Sequence, residues 1–294
     1  MKLSLSTNWC NRRYESGEEI AEKALELGFG ELELGYHTTQ FQVTGFKRTL
    51  DRIPIGSVHA FCPVPISAPQ GYPELYSLAT FEEEEGKLAL FHVRRNIAFA
   101  ADVGADTVVL HAGRAMCERW WHRLTRGDRT QCGVKLLGRF RRQLDALLPD
   151  LEKHKVTLAL ENLPYPEGFP NEYEFEQIMK WNLGDRIRGW YDTGHARVRE
   201  CNKWVVPTSP NPRPSTPNPQ PSTLFPPPSL IAGLHLNDVV DKTDDHLAPS
   251  FGKVDFVALK PLAEAVRHVV FEPNSGVSEA NLRKGIQYIR SIWP

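Results

Sequence analysis

Eight apolar, strand-like runs alternate with helix-sized segments along this chain, and that alternation constrains the fold more than any other feature. The runs cover residues 3–6, 31–34, 55–59, 107–110, 156–161, 187–192, 230–236 and 266–271. Helical periodicity is clearest from Gly17, where Ile20, Ala21, Ala24, Leu25 and Leu27 form one stripe that Gly28 and Gly30 close. It returns over residues 82–103, with Leu90, Val93, Ile97 and Ala100 on one face. Further helices are expected over residues 43–50, 136–154, 172–181, 256–265 and 278–292. Strands that alternate with helices imply a parallel sheet with right-handed crossovers, and eight units favour one closed (β/α)₈ TIM barrel, α/β in class, over an open sheet. No GxGxxG follows the first run, so a dinucleotide site has no support.

The runs end on residues that can hold a metal. SVHAF ends at His59, VVLHAG at His111, VTLALENLPY at Glu161, WYDTGH at Asp192 and His195, AGLHLND at His235, and HVVFEP at Glu272; Asp244 and His246 follow in DDH. In a barrel all carboxyl ends of the strands face one mouth, so these nine positions become neighbours. Any one of them alone reads as a satisfied polar residue or a helix cap. Together, imidazoles and carboxylates without thiolate suit Zn, Mn or Fe as divalent ions. After His111 come Arg114, Trp120 and Trp121: the arginine is a candidate for pairing a substrate phosphate, and the tryptophans for flat apolar contact.

The whole chain sets outer bounds. Across 294 residues, 35 basic and 36 acidic side chains give a formal net charge of −1, which argues against nucleic acid and anionic membrane as partners; a small-molecule substrate is expected instead. Cys10, Cys62, Cys117, Cys132 and Cys201 are odd in number and lack CxxC spacing, so reduced thiols in a cytoplasmic protein are expected. No run approaches the roughly 18 apolar residues of a membrane span, and no leader-like start is seen. Ten prolines crowd into residues 207–228, which reads as a disordered surface insertion in one barrel spanning residues 1–294.

The pieces ENLP, YDTGHA, HLND with DDHLAP, and FEP resemble the xylose isomerase-like barrels, a superfamily of sugar isomerases, epimerases and the endonuclease IV group. For the isomerases the resemblance implies one ion held by Glu161, Asp192, His235 and Glu272, with Glu161 and Glu272 moving the proton. For the endonuclease IV group it implies three ions and adds His59, His111, His195, Asp244 and His246, with Glu161 bridging two of them. One to three divalent ions per chain are thus expected.

All nine positions are filled, so the first expectation is a phosphoester hydrolase with metal-bound hydroxide as nucleophile, and the alternative a single-metal sugar or sugar-phosphate isomerase or epimerase. HAG and SFG stand where the endonuclease IV group has HPG and a Gly-Glu-Gly turn, which turns the expectation from DNA to a small nucleotide-like substrate. STNW, ELGYHTT, FCPVP and PELYSLA resemble the phosphodiesterases of cobamide remodelling, implying a cobamide-like one.

Overall fold

The computed structural model describes residues 2–115, 129–202 and 227–293, with side chains from residue 132 onward in the second stretch. Its first half comprises β1 (Ser4–Ser6), α1 (Gly17–Glu26), β2 (Glu31–Leu34), α2 (Gln40–Phe46), β3 (Ile55–His59), α3 (Glu83–Asp102), β4 (Thr107–Leu110), β5 (Gly113–Arg114) and α4 (Arg129–His154). Next come β6 (Thr157–Glu161), β7 (Gly168–Phe169), α5 (Glu172–Lys180), β8 (Ile187–Asp192) and α6 (Thr193–Cys201). The chain closes with β9 (Ile231–Leu236), α7 (Lys260–Ala265), β10 (His268–Phe271) and α8 (Glu279–Ile292).

Eight of these strands form a closed barrel in the order β1-β10-β9-β8-β6-β4-β3-β2, with every pairing parallel. This is the expected (β/α)₈ architecture. β5 and β7 form a separate antiparallel pair in the loops that follow β4 and β6.

Local chemistry explains the helix starts. Ser16 with Glu19, Thr39 with Gln42, and Asn171 with Glu174 each form a reciprocal capping box at α1, α2 and α5. Each box satisfies two backbone N–H groups that a helix start leaves orphaned, and loss of such a cap typically costs about 1 kcal/mol. α6 was not anticipated: Asp192 is both the last residue of β8 and the N-cap of α6, accepting from His195 N at 2.7 Å. Strand therefore passes into helix with no loop between them, and His195 lands one helical turn from Asp192 at the same mouth.

Strand side chains alternate between the helix layer and the barrel interior. On β2, Leu32 and Leu34 join the main core while Glu31 and Glu33 turn inward. The interior then falls into tiers along each strand. Thr107, Thr157, Arg188 and His268 lie at the amino ends of their strands, Val109, Ala159, Trp190 and Val270 pack together in the middle, and His111, Glu161, Asp192 and Glu272 lie at the mouth.

At the opposite end, His268 bridges Glu31 through Nδ1 at 3.2 Å and Asp106 through Nε2 at 2.9 Å. Cys10, Cys62 and Cys201 are free thiols, but Cys132 is disulfide-bonded, which corrects the expectation of reduced cysteines throughout. No helix among the described residues is long and apolar enough to cross a membrane. The proline-rich stretch of residues 207–228, up to residue 226, lies outside the described residues, as do Trp120 and Trp121.

Candidate metal centre

Glu161 is buried at the end of β6, and its two oxygens face different imidazoles. Oε2 lies 3.2 Å from His59 Nε2 and 3.1 Å from His111 Nε2, whereas Oε1 lies 3.1 Å from His235 Nδ1 and 3.4 Å from His195 Nδ1. Among the described residues the donor atoms fall into three sets, each with its members within 4.8 Å of one another: His59, His111 and Glu161; Glu161, Asp192, His235 and Glu272; and Asp192, His195 and His246. Asp244 stands 3.3 Å from both His195 Nε2 and His246 Nε2. All nine residues singled out in the sequence thus meet at one mouth, with Asp192 rather than Asp244 in the compact third set.

The imidazoles are oriented as metal ligands would be. His59, His195 and His246 each donate from Nδ1 to a backbone carbonyl, of Ala60, Asn162 and Glu272, at 2.8, 2.8 and 2.9 Å. With that nitrogen protonated, Nε2 keeps its lone pair and points at a carboxylate of the site. Among the described residues His111 Nδ1 is buried without a hydrogen-bond partner, with Glu74 Oε1 at 3.7 Å. This donor set of imidazole and carboxylate fits a borderline-hard divalent cation.

Without a cation, the surrounding carboxylates draw protons onto these same rings. Burial alone would lower His111, but the carboxylate of Glu161 outweighs it and brings the imidazole up to about 9. His195 rises to about 10, where the pull of Asp192 and Asp244 overcomes burial. His235 and His246 are likewise driven well above their ordinary value by the acids around them, against burial. Burial works to raise Glu161, yet His235 and His111 hold it far below the usual range; in Glu272 burial prevails, and the carboxyl is raised. So many buried acids and imidazoles at one point require either shared protons or a cation to balance them.

Several contributors escaped the sequence reading. Glu33 accepts from His235 Nε2 at 3.0 Å and from Ser57 Oγ at 2.8 Å. Asn237 Nδ2 donates to Asp192 Oδ2 at 2.6 Å, Asn8 Nδ2 to Glu272 Oε1 at 3.0 Å, and Asn162 spans the β6 and β8 ends through the backbone of Asp192. The signal for Glu33 was present: in a barrel strand whose leucines face helices, the alternating acid must face the interior. Glu74 comes from the proline-containing loop before α3, where no periodicity marks it. Arg114 sits beside Glu74, with Nε donating to Oε2 at 2.7 Å.

A closed parallel barrel with its buried acids and imidazoles gathered at the carboxyl ends of the strands defines the class: a TIM barrel whose mouth carries groups that could hold a metal ion. The sequence pattern of the xylose isomerase-like TIM barrel matches residues 21–292, and the chain belongs to that family. No curated protein matches it.

Solved structures share the fold. A D-tagatose 3-epimerase-like protein superposes with a TM-score of 0.70 at 20% identity, covering 99% of this chain and 97% of that one. The 3-keto-D-glucoside 4-epimerase YcjR from E. coli gives 0.68 at 17% identity, with 99% of both chains covered. The TTHB071 protein from Thermus thermophilus, soaked with ZnCl2, gives 0.62 at 21% identity, covering 99% of this chain and 98% of that one. These comparisons give phosphodiesterase and cobamide chemistry no support.

Proposed function

We propose that this protein is a metal-dependent isomerase or epimerase of a small sugar or sugar phosphate. One observation carries the reading: Glu161 Oε1 and Glu272 Oε2 each lie 3.1 Å from the same nitrogen, Nδ1 of His235, with Asp192 Oδ2 at 3.7 Å and all four residues buried. Isomerisation and epimerisation beside a carbonyl both take a proton from carbon and return one, which two opposed carboxyl groups can do. Glu161, Asp192, His235 and Glu272 would hold a divalent cation, which when bound polarises neighbouring substrate oxygens. Glu161, kept ionised by the imidazoles around it, accepts the proton from carbon. Glu272, fixed through Oε1 by Asn8 and raised by burial, returns one. The epimerase names of the D-tagatose 3-epimerase-like protein and of YcjR support this ordering.

The test is proton exchange. With metal-loaded protein in deuterated water and a panel of ketoses and their phosphates, deuterium is expected at the carbon beside the carbonyl, and Glu272→Gln is expected to slow its entry by about 10²–10⁴-fold. Absence of exchange with every sugar of the panel overturns the reading.

A second reading, hydrolysis of a phosphoester in a small nucleotide-like or cobamide-like substrate, is favoured by one specific observation. Glu161 presents its two oxygens to two donor sets, and the pair His195 and His246 adds a third, more than a single cation uses. Cations clustered about 3.5–4 Å apart suit the entering and leaving oxygens of a phosphoester. Elemental analysis of the purified protein separates the two: about one ion per chain supports the isomerase, and about three support the hydrolase.

A further inference from the structure

Arg114 lies just past the donor sets on β5, and two neighbours hold its guanidinium on two sides. Glu74 Oε2 accepts from Nε at 2.7 Å, and the guanidinium carbon sits 3.9 Å over the ring of Tyr165. Nothing among the described residues accepts from Nη1 or Nη2, although the side chain is only 38% exposed. The Tyr165 hydroxyl is buried and has no hydrogen-bond partner among the described residues.

The backbone beneath is pinned as well. Arg114 pairs with Gly168 of β7, and Gly113 bridges to Ala79. Gly113 has φ +136°, and a Cβ there would meet Ser77 Oγ at 1.9 Å, so this close approach of the loop needs glycine.

We infer that Arg114 is a ready-made oxyanion fork, and that the substrate carries a terminal phosphate or carboxylate. A guanidinium binds such groups through two parallel N–H donors, and the pair left open here, Nη1 and Nη2, is one edge of that fork. A solvated surface arginine loses rotamer freedom when it binds; this one has its plane already set by Tyr165 and its Nε by Glu74, so less is lost. Position adds to the argument. The second oxygen of Glu74 lies 3.7 Å from His111 Nδ1, so the fork stands one side chain away from the donor sets. A small substrate held by its anion at Arg114 extends toward Glu161, with the orphan Tyr165 hydroxyl available as a further donor. The inference rests on the barrel mouth being the substrate site, and it holds for either reaction proposed there.

Direct binding tests it. Inorganic phosphate, acetate and fructose are titrated calorimetrically into the purified full chain and into Arg114→Gln and Arg114→Lys variants of equal metal content. Phosphate or acetate is expected to bind the unaltered chain and to bind Arg114→Gln about tenfold or more weakly, as loss of a charged hydrogen-bonding partner implies. Arg114→Lys recovers only part of the loss, and any fructose binding is unchanged. A larger loss for phosphate identifies a phosphorylated substrate, and a larger loss for acetate a carboxylated one. No binding of either anion, or equal binding by the unaltered chain and Arg114→Gln, overturns the inference. Because binding is read without turnover, failure of the proton-exchange test leaves this result standing, and the two failures are told apart.

Discussion

Glu33 accepts from Nε2 of His235 at 3.0 Å while Nδ1 of the same ring faces Glu161 and Glu272 at 3.1 Å. One imidazole thus links a carboxylate on β2 to the donor set across the barrel. Such an outer carboxylate fixes the ring and raises its basicity as a ligand. Glu33→Gln keeps the shape and removes the charge. Metal affinity, measured by competition with a chelating dye, is expected to fall about 10–100-fold; an unchanged affinity would show that Glu33 only fills space.

Gly194 occupies the first turn of α6, and a Cβ there would meet Asn237 Oδ1 at 1.8 Å. Asn237 holds Asp192 through its amide, so Gly194→Ala pushes on the site through Asn237. Retained α-helical signal with a loss of metal affinity and activity is the expected result. Comparing thermal unfolding of the metal-free variant with its metal-binding curve checks that the damage is local.

At the closed end, burial would raise Glu31, but hydrogen bonds from His268, Lys2 and Ser4 bring it down to about 2. Asp106 is lowered by His268, Thr107 and Arg267 against burial, and His268 is raised by Asp106 and Glu31 against burial. The signs differ. The carboxylates' contribution is present above their unfolded values near 4 and lost as pH falls through the lowered ones; that of His268 is present below about 6.5 and lost as pH rises through its raised value. The cluster is therefore expected to stabilise most between about pH 4.5 and 6.5. Urea unfolding of the unaltered chain and His268→Gln at a series of pH values reads this as a gap that is widest in that window; a gap independent of pH refutes it.

A cation that binds only the folded mouth must raise the melting temperature in proportion to the logarithm of its concentration. At a hundred times its Kd the gain is about 2.7 kcal/mol. Chelation followed by readdition of zinc or manganese, monitored by calorimetry, is expected to lower and then restore the transition. A melting temperature indifferent to both treatments would deny the mouth a metal.

Much of this was legible in the sequence for a physical reason. Buried parallel strands such as TVVL at 107–110 read as short apolar runs, and their carboxyl ends converge by topology, so His59 and Glu272 could be paired although far apart in the chain. What escaped was whatever lacked a period or reversed its meaning. α6, with the sequence TGHARVREC, has little apolar stripe and a glycine in its first turn, so Asp192 and His195 looked like a strand end alone. Glu33 sits in ELEL, where the leucines face outward to the helices and the acid inward. Glu74 rides on a loop, and only tertiary packing brings it to His111 and Arg114.

Between the mouth and the His268 cluster, Val109, Ala159, Trp190 and Val270 fill the barrel at 0 or 1% exposure. The barrel is thereby a blind vessel stoppered halfway down. On the function proposed above, substrate, product and every exchanging proton would pass the same rim, where Glu74 and Arg114 stand. The two charged ends, kept apart by hydrocarbon, can be altered one at a time: chemistry can be redesigned above the stopper while stability is tuned below it.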